Sequence, residues 1–368
     1  MRANPQRILV RGVNWLGDAV MTTPALLRLR EARPSAHITL LTHAKLRDLW
    51  RGHPAIDAVE TFAAGESAWS IGNRLRQGRF DLGLVFPNSP RSACELWLAR
   101  IPERIGYARS WRNWLLTQAV PERPGAVAMH KRSASEINQL IRQDVAAVPP
   151  PATAHHIFQY LHLTAALGAK AEILPPQLSV PETAVAEFIT KFKLAAPTKD
   201  THWFGLNAGA EYGPAKRWPE ERFTETAVQI QRRTQCRWLI FGLKAEAETA
   251  ARIAAKIPGA VNLAGTTSLG ELCAALKLCR VLLTNDSGPM HVAAALGSPV
   301  VVPFGSTSPE LTGPGLPGDP RHRLLRANTP CSPCFLPECP IDFRCMTRIT
   351  VDAVVQAILE MIERGAGA

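Results

Sequence analysis

Val281-Leu282-Leu283-Thr284-Asn285-Asp286-Ser287-Gly288-Pro289-Met290-His291 reads as a strand that runs directly into a helix. A helix start above a strand end presents unpaired backbone N–H groups and the positive end of the helix dipole. Ser287 and Gly288 let an anion come close to the backbone, and Pro289 suits a first-turn position where its missing N–H costs nothing. His291, about one turn further on, is within reach of the same ligand. The pattern fits a pyrophosphate cradle and equally an ordinary capped turn between strand and helix.

Working outward, the same strand-then-helix alternation occurs twice. Ile8-Leu9-Val10, Ile38 to Leu41, Asp57 to Phe62 and Phe80 to Phe86 are strands of a first series, with a helix to about Arg33 and others over Lys45 to Trp50, Ser92 to Ala99 and Met129 to Gln143. Pro24, behind Thr22-Thr23, should kink or restart the first helix. The run Val148-Pro149-Pro150-Pro151-Ala152-Thr153 is neither helix nor ladder. A helix over Pro181 to Leu194 and a linker over Ala195 to Asp200 precede a second series. Its strands are Trp203 to Leu206, Trp238 to Gly242, Val281 to Leu283 and Val300 to Gly305, with helices over Pro219 to Arg233, Glu246 to Lys256 and Leu269 to Leu278. Apolar strands of this kind belong to parallel sheets covered on both faces. The expected architecture is therefore α/β, two Rossmann-like domains, 1–182 and 183–368, with ligand at the carboxyl ends of the strands.

The 368 residues carry 42 Lys+Arg against 31 Asp+Glu, and the excess is lopsided: +8 over residues 1–184 and +3 over the remainder. A basic N-terminal half calls for an anionic partner there, such as a phosphorylated glycolipid or an acidic lipid surface. Nucleic acid is not favoured, since no recognition helix, KH or RRM signature occurs and only three Tyr are available for stacking. No apolar run reaches the length of a membrane span, and the first residues lack the apolar core of a signal peptide, so a cytoplasmic location is expected.

Three further segments carry candidate chemistry. Gly17-Asp18, after the first strand, places a carboxylate at a helix start, where it is either a general base or a simple cap. Asn207 to Pro219 is a small-residue loop holding Gly209 and Lys216, a point charge suited to phosphate or else a solvated surface residue. Asn88, Ser89 and Arg91 follow the apolar strand ending at Phe86 and are candidates for an anionic acceptor. Separately, Cys331-x2-Cys334-x4-Cys339-x5-Cys345 contains one knuckle spaced for a tetrahedral structural zinc, with reduced buried thiols or a redox pair as the alternatives.

Gly17-Asp18 with the following Thr-Thr-Pro, Gly209 to Pro219 and Asn285 to Ala295 together resemble glycosyltransferase family 9, over nearly the whole chain from Ile8 to Ile358. The resemblance implies a GT-B fold with the active site in the cleft between its two domains, acceptor on the first and ADP-sugar on the second. It implies an inverting, metal-independent transfer of L-glycero-D-manno-heptose from ADP-heptose to the first heptose of the lipopolysaccharide inner core on Kdo2–lipid A, at the inner leaflet of the inner membrane. The alternatives are a family 9 transferase acting at another core position, or a nonenzymatic nucleotide-sugar binder. By the same resemblance Asp18 is the general base, and Gly17, Gly209, Lys216, Asp286, Ser287, Gly288 and His291 bind the donor. The pattern departs at Lys244, where a related enzyme has a ribose-binding carboxylate, which leaves Glu246 or Glu248 for that part.

Overall fold

The computed structural model describes residues 6–144, 148–198 and 202–365. The last two residues of the expected linker, Lys199 and Asp200, and the first five of the chain lie outside the described residues. Two compact units result: residues 1–126 with 156–179, and residues 127–155 with 180–368. The segment 127–155, which the single boundary after residue 182 assigns to the N-terminal part, belongs with the second unit. Arg132 N–H donates to the Cys334 carbonyl at 3.0 Å, and Ile137 is buried against Cys331 and Cys334.

In the first unit β1 (Arg7–Arg11), β2 (His37–His43), β3 (Ala58–Phe62), β4 (Leu82–Val85), β5 (Glu103–Tyr107) and β6 (Gln118–Val120) form one parallel sheet in the order β3-β2-β1-β4-β5-β6. The second unit repeats this with β7 (Trp203–Asn207), β8 (Arg237–Phe241), β9 (Val261–Asn262), β10 (Leu282–Thr284), β11 (Val300–Phe304) and β12 (Arg323–Arg326), ordered β12-β11-β10-β7-β8-β9. Both orders are the doubly wound 3-2-1-4-5-6 arrangement, whose direction of winding reverses between its first and fourth strands. Those switch points fall between β1 and β4 and between β7 and β10. Ile8, Leu9, Val10 and Val300 to Val302 are fully enclosed, as strands covered by helices on both faces must be.

The helix after β1 does break where the sequence indicates. It runs Leu16–Met21, then restarts as Thr23–Ala32 with Pro24 in the new first turn. The hydroxyls of Thr22 and Thr23 bond back to the carbonyls of Ala19 and Val20, which diverts acceptors from a continuous ladder. Lys45 to Trp50 lies within a 3-10 helix, Ala44–Trp50, rather than an α-helix, and the helix expected from Met129 starts only at Ala134, where Ser133 and Glu136 make a capping box. Strands β5, β6, β9 and β12 and the helix Ile157–Ala165 are additions to the sequence reading. The strands are short and half-polar, so they lack the apolar run that marks β4 or β11.

Candidate active site

The β7 and β10 switch point is built around two asparagines. Asn285, after β10, accepts from the Trp218 backbone N–H at 2.9 Å and donates to the Ala208 carbonyl at 2.7 Å. It thereby ties the loop after β7 to the turn after β10. Asn207, at the end of β7, donates to the hydroxyls of Thr284 and Ser287, each at 3.2 Å. Ser287 is the residue before the helix Gly288–Ala295, yet its side chain makes no cap bond to that helix. Its hydroxyl is held by Asn207 and Thr284; of the first-turn residues Pro289 has no N–H and Met290 donates to the Ser287 carbonyl at 3.2 Å, which leaves the Gly288 N–H to serve an outside acceptor.

Lys216 is placed beside this helix start. Its Nζ lies 2.6 Å from Asp286 Oδ2 and 5.0 Å from the centre of the Tyr212 ring, with only 15% of the side chain exposed. This is not a solvated surface lysine. Asp286 is itself buried and accepts from Thr307 Oγ1 at 2.5 Å, from the loop after β11. Gly209 meets a further carboxylate: a Cβ there would sit 2.1 Å from Glu246 Oε2, so only glycine leaves Glu246 its position. Glu246 also accepts the Leu243 N–H at 2.8 Å, whereas Glu248 is exposed on the following helix. Of the two carboxylates near Lys244, Glu246 is the one at the strand ends. His291 is buried in the first turn of the helix, between the buried core residues Met290 and Val292.

In the first unit, Asp18 stands in the opening turn of Leu16–Met21, at the carboxyl edge of β1. The cap position belongs to Trp15, with no side-chain cap bond, so Asp18 is not the helix cap. The Tyr160 hydroxyl reaches Asp18 Oδ1 at 3.5 Å from the helix Ile157–Ala165, and packs edge-on against Phe86 at the end of β4. Burial, reinforced by the Asp18 carboxylate, holds the Tyr160 phenol well above its ordinary range, so it remains a donor. Gly17 precedes Asp18, part-exposed in the same turn. Beneath them Arg11 and Glu95 form a buried pair at 2.7 Å, with the Arg11 guanidinium 4.3 Å over the Phe62 ring.

The three expected acceptor residues are at the neighbouring edge, but two have structural duties. Ser89 caps the helix Pro90–Leu98 by accepting from Ser92 N–H at 3.3 Å. Arg91 is bound to Glu95 at 3.2 Å and to the Glu66 carbonyl; all three residues are exposed. Tyr160, Thr307 and the Arg11–Glu95 pair lie in no motif, and nothing short of the fold brings them to these positions.

Cys331, Cys334, Cys339 and Cys345 line one cavity of about 10 Å³, the room of a single water or ion. The residue types suit a structural metal. Among the described residues, however, no group of three or more His, Cys, Asp or Glu side chains is placed to hold one. Burial and the neighbouring thiols push Cys345 up to about 12, and burial also raises Cys334. The loop braces the lysine: Ala215 N–H donates to the Pro337 carbonyl at 2.9 Å and the Tyr212 hydroxyl to the Phe335 carbonyl at 2.7 Å.

Two doubly wound units in one chain are the arrangement of the GT-B glycosyltransferases. The model for "Glycosyltransferase family 9 (heptosyltransferase)" matches residues 115–343. Lipopolysaccharide heptosyltransferase 2 of Salmonella typhimurium is 30% identical over 321 residues, 84% of this chain and 85% of the relative. Lipopolysaccharide heptosyltransferase 1 of Pseudomonas aeruginosa is 27% identical over 337 residues, 90% and 87% of the two chains. The solved structure of E. coli ADP-heptose lipopolysaccharide heptosyltransferase II superposes with a TM-score of 0.76 at 27% identity, covering 98% of this chain and 99% of that one. The chain belongs to glycosyltransferase family 9, the heptosyltransferases, as its motifs indicate.

Proposed function

We propose that this enzyme transfers L-glycero-D-manno-heptose from ADP-heptose to the first heptose of the lipopolysaccharide inner core, with inversion at the anomeric carbon. The observation that carries the reading is the Lys216–Asp286 pair at the start of the helix Gly288–Ala295, beside a Ser287 whose side chain makes no cap bond to that helix. A lysine and a helix dipole converging on one point suit a diphosphate and the charge it gains on departure. Lys216, Ser287, Gly288 and the backbone at Gly209 are assigned to the diphosphate, Glu246 to the ribose and His291 to the first-turn contact. Asp286 serves through Lys216, since a carboxylate facing a diphosphate would repel it.

Asp18 is assigned as general base. It takes the proton of the acceptor hydroxyl as that oxygen bonds to the anomeric carbon, while the bond from that carbon to the diphosphate oxygen breaks and ADP leaves. The first unit, with the larger positive excess, is assigned to the phosphorylated acceptor, with Asn88 at its edge, and the enzyme to the cytoplasmic face of the inner membrane. No helix among the described residues is long and apolar enough to cross a bilayer, which accords with peripheral attachment. No divalent ion is assigned to the chemistry, and nucleic acid is not a partner.

The test is incubation of purified enzyme with ADP-heptose and Kdo2–lipid A bearing no heptose, one or two, with products read by mass spectrometry. Addition only to the one-heptose acceptor is expected. Addition to the bare acceptor would make the enzyme one that adds the first heptose instead, and no addition to any would withdraw the reading.

A further inference from the structure

The connection between β5 and β6 carries two tryptophans in water. Trp111 is 86% exposed and Trp114 69%, and Trp97, 45% exposed on the helix Pro90–Leu98, packs edge-on against Trp114 with ring centres 6.0 Å apart. The loop is firmly anchored beneath them. Leu115 and Leu116 are buried in the core of the first unit, and the Arg112 side chain is wholly enclosed, its Nη1 donating to the Pro87 carbonyl at 2.6 Å. Gly106 makes room for it, since a Cβ there would come within 2.7 Å of Arg112 Nη2. Trp111 is held at φ +64, a conformation bulky residues avoid. The backbone thus turns inward at Arg112 and Leu115 and directs the tryptophans outward, although burying them would have stabilised the fold.

We infer that this surface docks on an anionic phospholipid bilayer, with Trp97, Trp111 and Trp114 at headgroup depth. Tryptophan is the side chain that favours that layer, having an apolar body and one N–H for the wet side. The charge is complementary: Arg100 is exposed and Arg104 and Arg109 half-buried between Trp97 and Thr117, against Glu103 alone, and the N-terminal half of the chain holds most of the net positive excess. A second copy of the chain is the poorer occupant, because a two-fold contact would oppose this basic patch to itself. The loop starts at the carboxyl edge of the sheet, and Arg112 ties it to Pro87 after β4, so docking brings the lipid surface to the edge where Asp18 stands. The inference rests on the reading of the enzyme as one that works at a membrane, and it goes further by naming the surface.

Co-sedimentation with vesicles of phosphatidylethanolamine and phosphatidylglycerol tests it. Wild-type protein should bind these and not phosphatidylcholine vesicles, and W111S/W114S should partition on the order of tenfold more weakly. Brominated lipid should quench the fluorescence of the wild-type protein, a reading independent of whether the variant folds. The vesicles contain no glycolipid, and transfer to a de-acylated soluble acceptor, measured separately, should be unchanged in W111S/W114S, so failure of docking and failure of the heptosyltransferase reading are distinguishable. Absence of vesicle binding, binding indifferent to the double substitution, or a dimer that the substitution dissolves would each overturn the inference.

Discussion

Lys216 Nζ sits 2.6 Å from Asp286 Oδ2, and both side chains are largely withdrawn from water. The pair joins the loop after β7 to the turn after β10, the two segments that flank the switch point of the second sheet. Thr307 fixes the carboxylate from a third side. A lysine restrained in this way loses little side-chain entropy when an anion arrives, so its charge acts as a prepared partner rather than a recruited one.

Lys216→Ala should lower kcat/KM by roughly 10²–10³, as the loss of one preorganised donor to a developing anion does. Part of that loss comes from leaving Asp286 buried without its cation. The double variant Lys216→Ala/Asp286→Asn should therefore recover some ADP affinity relative to the single one. Calorimetric titration with ADP measures both, and equal affinities for the single variant and wild type would detach Lys216 from the donor.

Asp18→Asn should bind ADP normally and lose transfer by roughly 10²–10⁴, the contribution of a general base. Tyr160→Phe removes the hydroxyl near Oδ1 with little change of packing, and should reduce kcat with KM for the donor held constant. Steady-state kinetics on a soluble acceptor separates the two. An Asp18→Asn enzyme that turns over at the wild-type rate would end its assignment as base.

Much of this was legible in the residue string because the deciding segments are local. A run such as Val300-Val301-Val302 declares a covered strand, and Ser287-Gly288-Pro289 declares a helix start, without reference to anything distant. The elements that escaped notice have no such local mark. β6 and β12 are short edge strands with arginine, glutamine or threonine about them, and the excursion 127–155 is assigned to the second unit only by contacts such as Ile137 with Cys331. The same distinction holds in the site. Asp18 and Lys216 stand in recognisable motifs, whereas Tyr160 reaches Asp18 across 142 positions of chain and Thr307 reaches Asp286 across 21. Ser89 and Arg91 follow β4 as the sequence indicates, but their partners Ser92 and Glu95 become evident only once the helix Pro90–Leu98 is formed.

Stability should fall with pH below neutrality before the carboxylates themselves are protonated. Burial lowers both His53 and His322 to about 4, so between pH 6.5 and 4 the unfolded chain takes up protons that the native one refuses. Native stability then declines by about 1.4 kcal/mol per pH unit for each proton so withheld. Above pH 6.5 both states are neutral at these sites and the effect vanishes. His53→Asn keeps an acceptor for the Ala55 N–H and should flatten the decline of Tm over that window by one proton's share. An unchanged slope would mean that His53 does not titrate with unfolding.

The cysteine quartet is the remaining candidate for a bound ion, proposed as a closed structural site apart from the chemistry. Cys331, Cys334, Cys339 and Cys345 share a cavity of one-ion size, but they must rearrange to become ligands, as among the described residues no three such side chains are placed to hold an ion. With Cys345 at about 12 and Cys334 also raised, these two stay protonated at neutral pH unless a metal displaces the protons, so uptake should release acid. Protein expressed with zinc should contain about one ion per chain, and its removal by a strong chelator should lower Tm. The Pro337 and Phe335 carbonyls hold Ala215 and Tyr212, so C331S/C334S should also weaken ADP binding. EDTA that removes only loosely held divalent ions should leave turnover intact, since the leaving charge is proposed to be received by Lys216 and the helix start. Metal-free protein of full stability, with unaltered ADP affinity in C331S/C334S, would leave four reduced thiols packed in a proline-braced loop and nothing more.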